Sequence, residues 1–128
     1  MAPAVVRFHP AAAQEAESAY EWYAARSPSA AYGFREELRH AVDAVAGNPL
    51  TWPRYGNRAR RYVFPRFPFN LVYRLRGGEV EIIAVAHGRR RPGYWRLRLG
   101  PAVERPNAAV GAARRRSSGA LGPVEKPH

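Results

Sequence analysis

Along the first half of the chain the apolar positions recur at the three- and four-residue steps of a helix, and along the second half at the two-residue step of a strand. A β-branched run, Ala4 to Phe8, stops at His9-Pro10. Proline fits the first turn of a helix, where the N–H it lacks would have no partner. The pattern predicts a strand and then a helix over about residues 10–26. Ala12, Ala16, Ala19 and Tyr23 form its stripe, Tyr20 and Trp22 flank it, and Glu15, Glu17 and Glu21 lie mostly away from it. Ser27-Pro28 reads as the N-cap and first residue of a second helix. Its apolar set, Ala31, Phe34, Leu38, Ala41, Val42 and Val45, steps by three and four until Gly47 and Asn48-Pro49 end it. So short a connection between two amphipathic helices predicts an antiparallel hairpin with one shared apolar seam.

Residues 50–57 are loop-like, with Pro53 and Gly56 following Pro49. Three strand-like segments follow, over residues 59–64, 67–76 and 79–86, each rich in β-branched and aromatic side chains. Gly77-Gly78 between the last two is a hairpin turn signal, because both turn positions can need positive φ. In the middle segment Phe69, Leu71, Tyr73 and Leu75 alternate with Asn70, Val72, Arg74 and Arg76, which makes one face apolar and the other partly basic. The apolar face needs a cover and the hairpin a floor, so the predicted class is α+β: a strand, then a helical hairpin packed on a small, twisted, mainly antiparallel sheet. The opposite face of the sheet is expected to be open to a partner. Residues 1–98 are expected to fold as one domain. Residues 99–128, rich in Pro, Gly, Ala and Arg, hold too few large apolar side chains to offset the entropy of ordering and are expected to form a flexible basic tail.

Charge adds a partner class to this scaffold. The chain has 128 residues, 21 basic against 10 acidic, for a formal charge of +11, and Lys126 is its single lysine. Residues 1–47 hold four arginines against six acidic residues, 48–100 hold twelve against two, and 101–128 hold five basic residues against two acidic. The middle segment therefore carries the basic surface and points to an anionic partner. With no cysteine, disulfides, thiolate zinc sites and cysteine nucleophiles are excluded, and a reducing cytoplasm suits the chain. His9 and His40 have no ligand-spaced partners, so neither a metal nor another cofactor is expected. The apolar runs fall far short of the ~20 residues of a membrane span, and Met1 to Pro10 shows no secretory leader, so a cytoplasmic protein with no membrane association is expected.

Particular words in the sequence carry a family resemblance. Phe8-His9-Pro10, the stretch Trp22 to Pro28, Asn48-Pro49, Phe67-Pro68-Phe69-Asn70-Leu71-Val72-Tyr73-Arg74, and the closing run from Ala86-His87-Gly88-Arg89 through Arg90, Arg91 and Pro92 to Tyr94-Trp95 stand in a shared order. From about Val5 to Trp95 the chain resembles the RelE/ParE superfamily, the toxins of type II toxin-antitoxin modules, sometimes labelled plasmid stabilisation proteins. The resemblance implies a toxin that inhibits growth, a cognate proteic antitoxin that neutralises it, and operator DNA bound only through the complex of the two.

It also implies one of two mechanisms. RelE-like members cleave mRNA on the ribosome without metal, using lysines and arginines on the sheet and a tyrosine or histidine near the C-terminus; ParE-like members poison DNA gyrase. On the first, the catalytic set here is Arg61, His87, Arg89 and Tyr94. Metal-free RNA cleavage needs a base for the 2′-OH, cations for the phosphorane and an acid for the leaving oxygen. Asn70 stands where many such nucleases place an arginine, and Arg60 and Arg61 stand where relatives have lysine, although a guanidinium hardly serves as a base. These departures favour the ParE-like reading, with the ribosomal nuclease and a non-toxic homologue that only binds antitoxin as alternatives.

Arg60, Arg66, Arg74, Arg90, Arg91 and Trp95 are the candidates for nucleic-acid or target binding. For the strand arginines the plainer role is edge protection, and for His87 a strand-end hydrogen bond. Arg89, Arg90 and Arg91 suit phosphate or an acidic antitoxin equally. Tyr94-Trp95 suits base stacking or pinning of a C-terminal turn, while Trp22, Tyr23 and Trp52 suit packing better than stacking. The Arg114 to Arg116 run suits nonspecific nucleic-acid binding or no role at all.

Overall fold

A computed structural model describes residues 2–100, and the tail expected beyond residue 98 lies, from residue 101, outside the described residues. The chain divides into two units, one ending at Arg90 and one beginning at Arg91. The first runs β1 (Val6–Phe8), α1 (Pro10–Ala24), α2 (Pro28–Gly47), β2 (Arg60–Val63), β3 (Phe69–Arg76) and β4 (Glu79–His87).

Both helices start at the prolines that predict them, the second behind its predicted Ser27 cap and the first behind His9, a cap the sequence reading did not name. His9 Nδ1 accepts the Ala11 N–H at 3.0 Å ahead of Pro10, and Ser27 Oγ accepts the Ala30 N–H at 3.2 Å ahead of Pro28. The strands form one sheet in the order β1-β4-β3-β2, with β1 parallel to β4 and the other pairs antiparallel. Gly77 and Gly78 turn the β3–β4 hairpin with φ of 59° and 82°, the double positive φ of a type I′ turn. A bulge interrupts this ladder: Tyr73 faces Ile82 and Val72 faces Ala84, which leaves Ile83 as the extra residue.

The helical hairpin buries its seam on one face of the sheet, in a core that includes Ala12, Phe34, Ala41, Val45, Leu71, Tyr73, Val80, Ile82 and Val85. Phe34 is its aromatic centre, with ring centroids 5.2 Å from Phe69, 5.6 Å from Tyr23 and 6.2 Å from Phe64. Tyr73 reaches past it to donate its hydroxyl to the Pro49 carbonyl at 2.5 Å, which ties the loop after α2 to the sheet.

The expectation of an open opposite face needs correction. Val72, Ile83, Ala84 and Ala86 stand outside the helix-facing core cluster and are buried. The alternation of β3 hid this, whereas β4 carries the unbroken apolar run Ile82 to Ala86 that marks a strand buried on both faces. In the second unit Arg96–Leu99 form a 3₁₀ turn, with Trp95 and Leu99 buried.

Candidate functional site

Register fixes what the outer face presents. Arg61 pairs with Val72 and Val72 with Ala84, Val63 pairs with Asn70 and Asn70 with Ala86, and Arg74 pairs with Glu81, which faces Arg7. The centre is thus small and apolar, and charge gathers towards the β3–β4 hairpin. There Arg7 Nε donates to Glu79 at 2.7 Å, while Arg74 Nε and Arg76 Nη1 both donate to Glu81 Oε1, at 2.9 and 3.3 Å. Burial pushes the Arg74 guanidinium below its ordinary pKa, the Glu81 carboxylate holds it up, and the cations of Arg76 and Arg58 push it down again. Asn70 Oδ1 is buried and has no hydrogen-bond partner among the described residues.

The arginines named from the sequence divide by task. Arg60 Nη1 donates to the carbonyls of Trp52 at 2.7 Å and Leu50 at 3.3 Å, so it clamps the loop before β2. Arg66 donates its backbone N–H and its Nε to the Glu37 carboxylate, both at 3.1 Å. Arg74 belongs to the Glu81 network. Arg61 lies with its guanidinium 4.1 Å from the Tyr55 ring centroid. Arg60, Arg66 and Arg74 are therefore held by internal partners.

Of the four candidate catalytic residues, Arg61 and His87 fall on opposite faces of the sheet. His87 pairs with Phe69 on the helix-facing side, its ring 5.1 Å from that phenyl, and its Nδ1 accepts the Arg89 N–H at 3.0 Å. The bulge at Ile83 sets this orientation, because one extra residue reverses the facing of everything after it. Arg89 and Arg90 are exposed in the turn that follows, which the Arg90 N–H closes on the His87 carbonyl at 3.0 Å. Arg91, Tyr94 and Trp95 belong to the second unit, where Arg91 is exposed, Trp95 is buried and the Arg98 guanidinium lies 5.1 Å from the Tyr94 ring.

On the other side of the molecule a groove of about 360 Å³ opens between the helices, lined by Phe8, Ala13, Ala16, Tyr20, Arg35 and Leu38 among others. Alanines at 13 and 16 make the space, and the Arg35 guanidinium stacks 4.1 Å from the Tyr20 ring at its rim. Among the described residues no helix is long and apolar enough to cross a membrane.

These elements meet a known family. Residues 6–92 match the family described as the ParE toxin of the type II toxin-antitoxin system parDE. The chain belongs to the ParE toxin family. A solved chromosomal ParDE toxin-antitoxin system from P. aeruginosa contains a chain with the same fold, at 17% identity and a TM-score of 0.58, covering 66% of this chain and 95% of that one. No curated protein sequence matches.

This ParE family member also contains a buried charge that sequence reasoning passed over. Glu37 is 6% exposed and accepts three hydrogen bonds, from the Arg66 N–H, the Phe67 N–H at 2.9 Å and Arg66 Nε. The signal was present: Glu37 lies three residues after Phe34 and four before Ala41, on the apolar stripe itself, where a carboxylate needs partners. Glu15 on α1, half-buried, is a second carboxylate tied to the sheet. Its Oε1 accepts the Val85 N–H at 3.0 Å, beyond Ile82, the last β4 residue that pairs with β1.

Proposed function

We propose that this chain is the toxin of a two-protein module, neutralised by a cognate antitoxin, and that it acts in the ParE manner on DNA gyrase without cleaving RNA. The observation that carries the mechanistic half is the centre of the outer face. Metal-free RNA cleavage needs clustered cations around the scissile phosphate, but here Asn70 stands beside buried Val72, Ala84 and Ala86. Arg61 and His87, which a nuclease would have to bring to one phosphate, lie on opposite faces, and residues 1–100 contain no lysine. Membership of the ParE toxin family and the apolar groove between the helices support a protein partner.

A translation reaction programmed with one defined mRNA, with new 5′ ends mapped by primer extension, tests the mechanism. The expected result is intact mRNA with normal protein output, alongside growth arrest on induction in cells without the antitoxin. Codon-phased cuts that vanish in Arg89→Ala would establish the ribosomal nuclease instead. Unimpaired growth would leave only an antitoxin-binding homologue.

A further inference from the structure

A strand at the edge of a sheet presents unpaired N–H and C=O groups, and a folded chain ordinarily covers or blunts them. The order β1-β4-β3-β2 gives this sheet two edge strands, and β4 makes a further edge where it runs on past the end of β1. The edges of β2 and β4 are closed. Along β2 the Arg61 N–H donates to the Pro53 carbonyl at 3.0 Å and Arg54 bridges Arg60, so residues 53–55 lie against the strand. Outward groups recur at every second residue, and the position that follows Val63 in that series is Pro65, which has no N–H to offer. On β4 the Glu15 carboxylate takes the Val85 N–H at 3.0 Å, where α1 packs against the strand.

The edge along β1 has no such cover among the described residues. The Val5 carbonyl accepts the Val80 N–H at 2.9 Å, and the His9 N–H donates to the Ile82 carbonyl at 2.8 Å. By that alternation Val5, Arg7 and His9 bond to β4, while Val6 and Phe8 turn their N–H and C=O groups away from the sheet. Apolar surface is open beside them, with Val5 59% and Phe8 37% exposed. Register sets Val6 against Val80 and Phe8 against Ile82, on the helix-facing side, and Phe8 also lines the groove between the helices. A strand laid beside β1 therefore runs alternate side chains along Phe8 towards that groove, so one partner chain can use both.

The edge also narrows the occupant. A row of main-chain donors and acceptors recognises another extended main chain. A second copy pairing antiparallel over all three residues of β1 would set two Arg7 side chains opposite each other, an arrangement that like charges disfavour. We propose that the free edge of β1 takes an extended segment of the antitoxin as a fifth strand, with apolar side chains on the face that meets Phe8 and no basic residue opposite Arg7. The antitoxin as partner rests on the proposed function, whereas the extended form of what binds rests on the hydrogen-bond pattern.

The test is amide hydrogen exchange, read by NMR on the isotope-labelled full chain, free and in complex with the purified protein encoded beside it. The Val6 and Phe8 amides should exchange fast in the free toxin and about a hundredfold or more slowly in the complex, with Val63 unchanged. Val6→Pro, which removes an outward donor and leaves the bonds to β4 in place, should weaken the complex about tenfold, and Val63→Pro on the opposite edge should not. Val6 and Phe8 amides that stay fast in a formed complex overturn the proposal, and this reading needs no variant to fold. Protection that appears in the free toxin as concentration and mass rise together overturns it in favour of a second copy. Failure of the wild type to bind the neighbouring protein removes the proposed function and this inference with it, an outcome distinct from a complex that forms with the edge left open.

Discussion

At the scale of single residues, Glu37 joins α2 to the turn between β2 and β3. Burial alone would raise its carboxyl pKa, but the Phe67 N–H and the Arg66 guanidinium and N–H together hold it below the usual carboxylate value. Glu37→Ala takes the acceptor from the Arg66 and Phe67 N–H groups, while the exposed Arg66 guanidinium returns to water, and should cost about 2 kcal/mol in urea unfolding. Because the folded-state value is the lower one, the contribution is whole above the unfolded value of ~4.3 and fades as pH falls through the folded-state value. Wild type should therefore lose its advantage over Glu37→Gln on acidification below about pH 4, and a constant gap across that range would contradict the assignment. Tyr73 behaves oppositely: burial pushes its hydroxyl up to about 12, against a small downward pull from Arg60. In an ultraviolet titration of the folded protein one tyrosine should resist ionisation until about pH 12, and Tyr73→Phe should remove it at a cost of about 1 kcal/mol. Both sites were only half legible, because a sequence displays a carboxylate on an apolar stripe but not the loop, 29 residues away, that satisfies it.

At the scale of elements, legibility followed local physics. The helix starts and the β3–β4 turn depend on residues within one turn of each other, and Ser27, Pro28, Gly77 and Gly78 declared them. Ser27→Ala should cost about 1 kcal/mol by thermal or urea unfolding, since it leaves the Ala30 N–H without its acceptor. Gly78→Val, which forces a β-branched residue to φ of 82°, should cost at least as much. The bulge at Ile83 was not legible. It depends on pairing across two strands, and the apolar run from Ile82 to Ala86 is compatible with either facing of His87. That one extra residue is what separates His87 from Arg61, so the candidate catalytic set could be assembled in sequence and not in space.

At the scale of the whole molecule, one layer of two helices on a four-stranded sheet separates two surfaces of different chemistry. The groove between the helices is largely apolar, whereas the hairpin end of the sheet is charged, with Arg7 and Arg76 set against Glu79 and Glu81. The architecture followed from the need to cover one apolar sheet face, and the family from words spread from about Val5 to Trp95, with the family match over residues 6–92. The target followed from neither, because fold and target are set by different residues. The most direct measurement is supercoiling of relaxed plasmid by purified DNA gyrase with the toxin added in stoichiometric steps. The account predicts that supercoiling stops as toxin approaches equivalence and that cognate antitoxin restores it. Full supercoiling at a large excess of folded toxin would contradict the account.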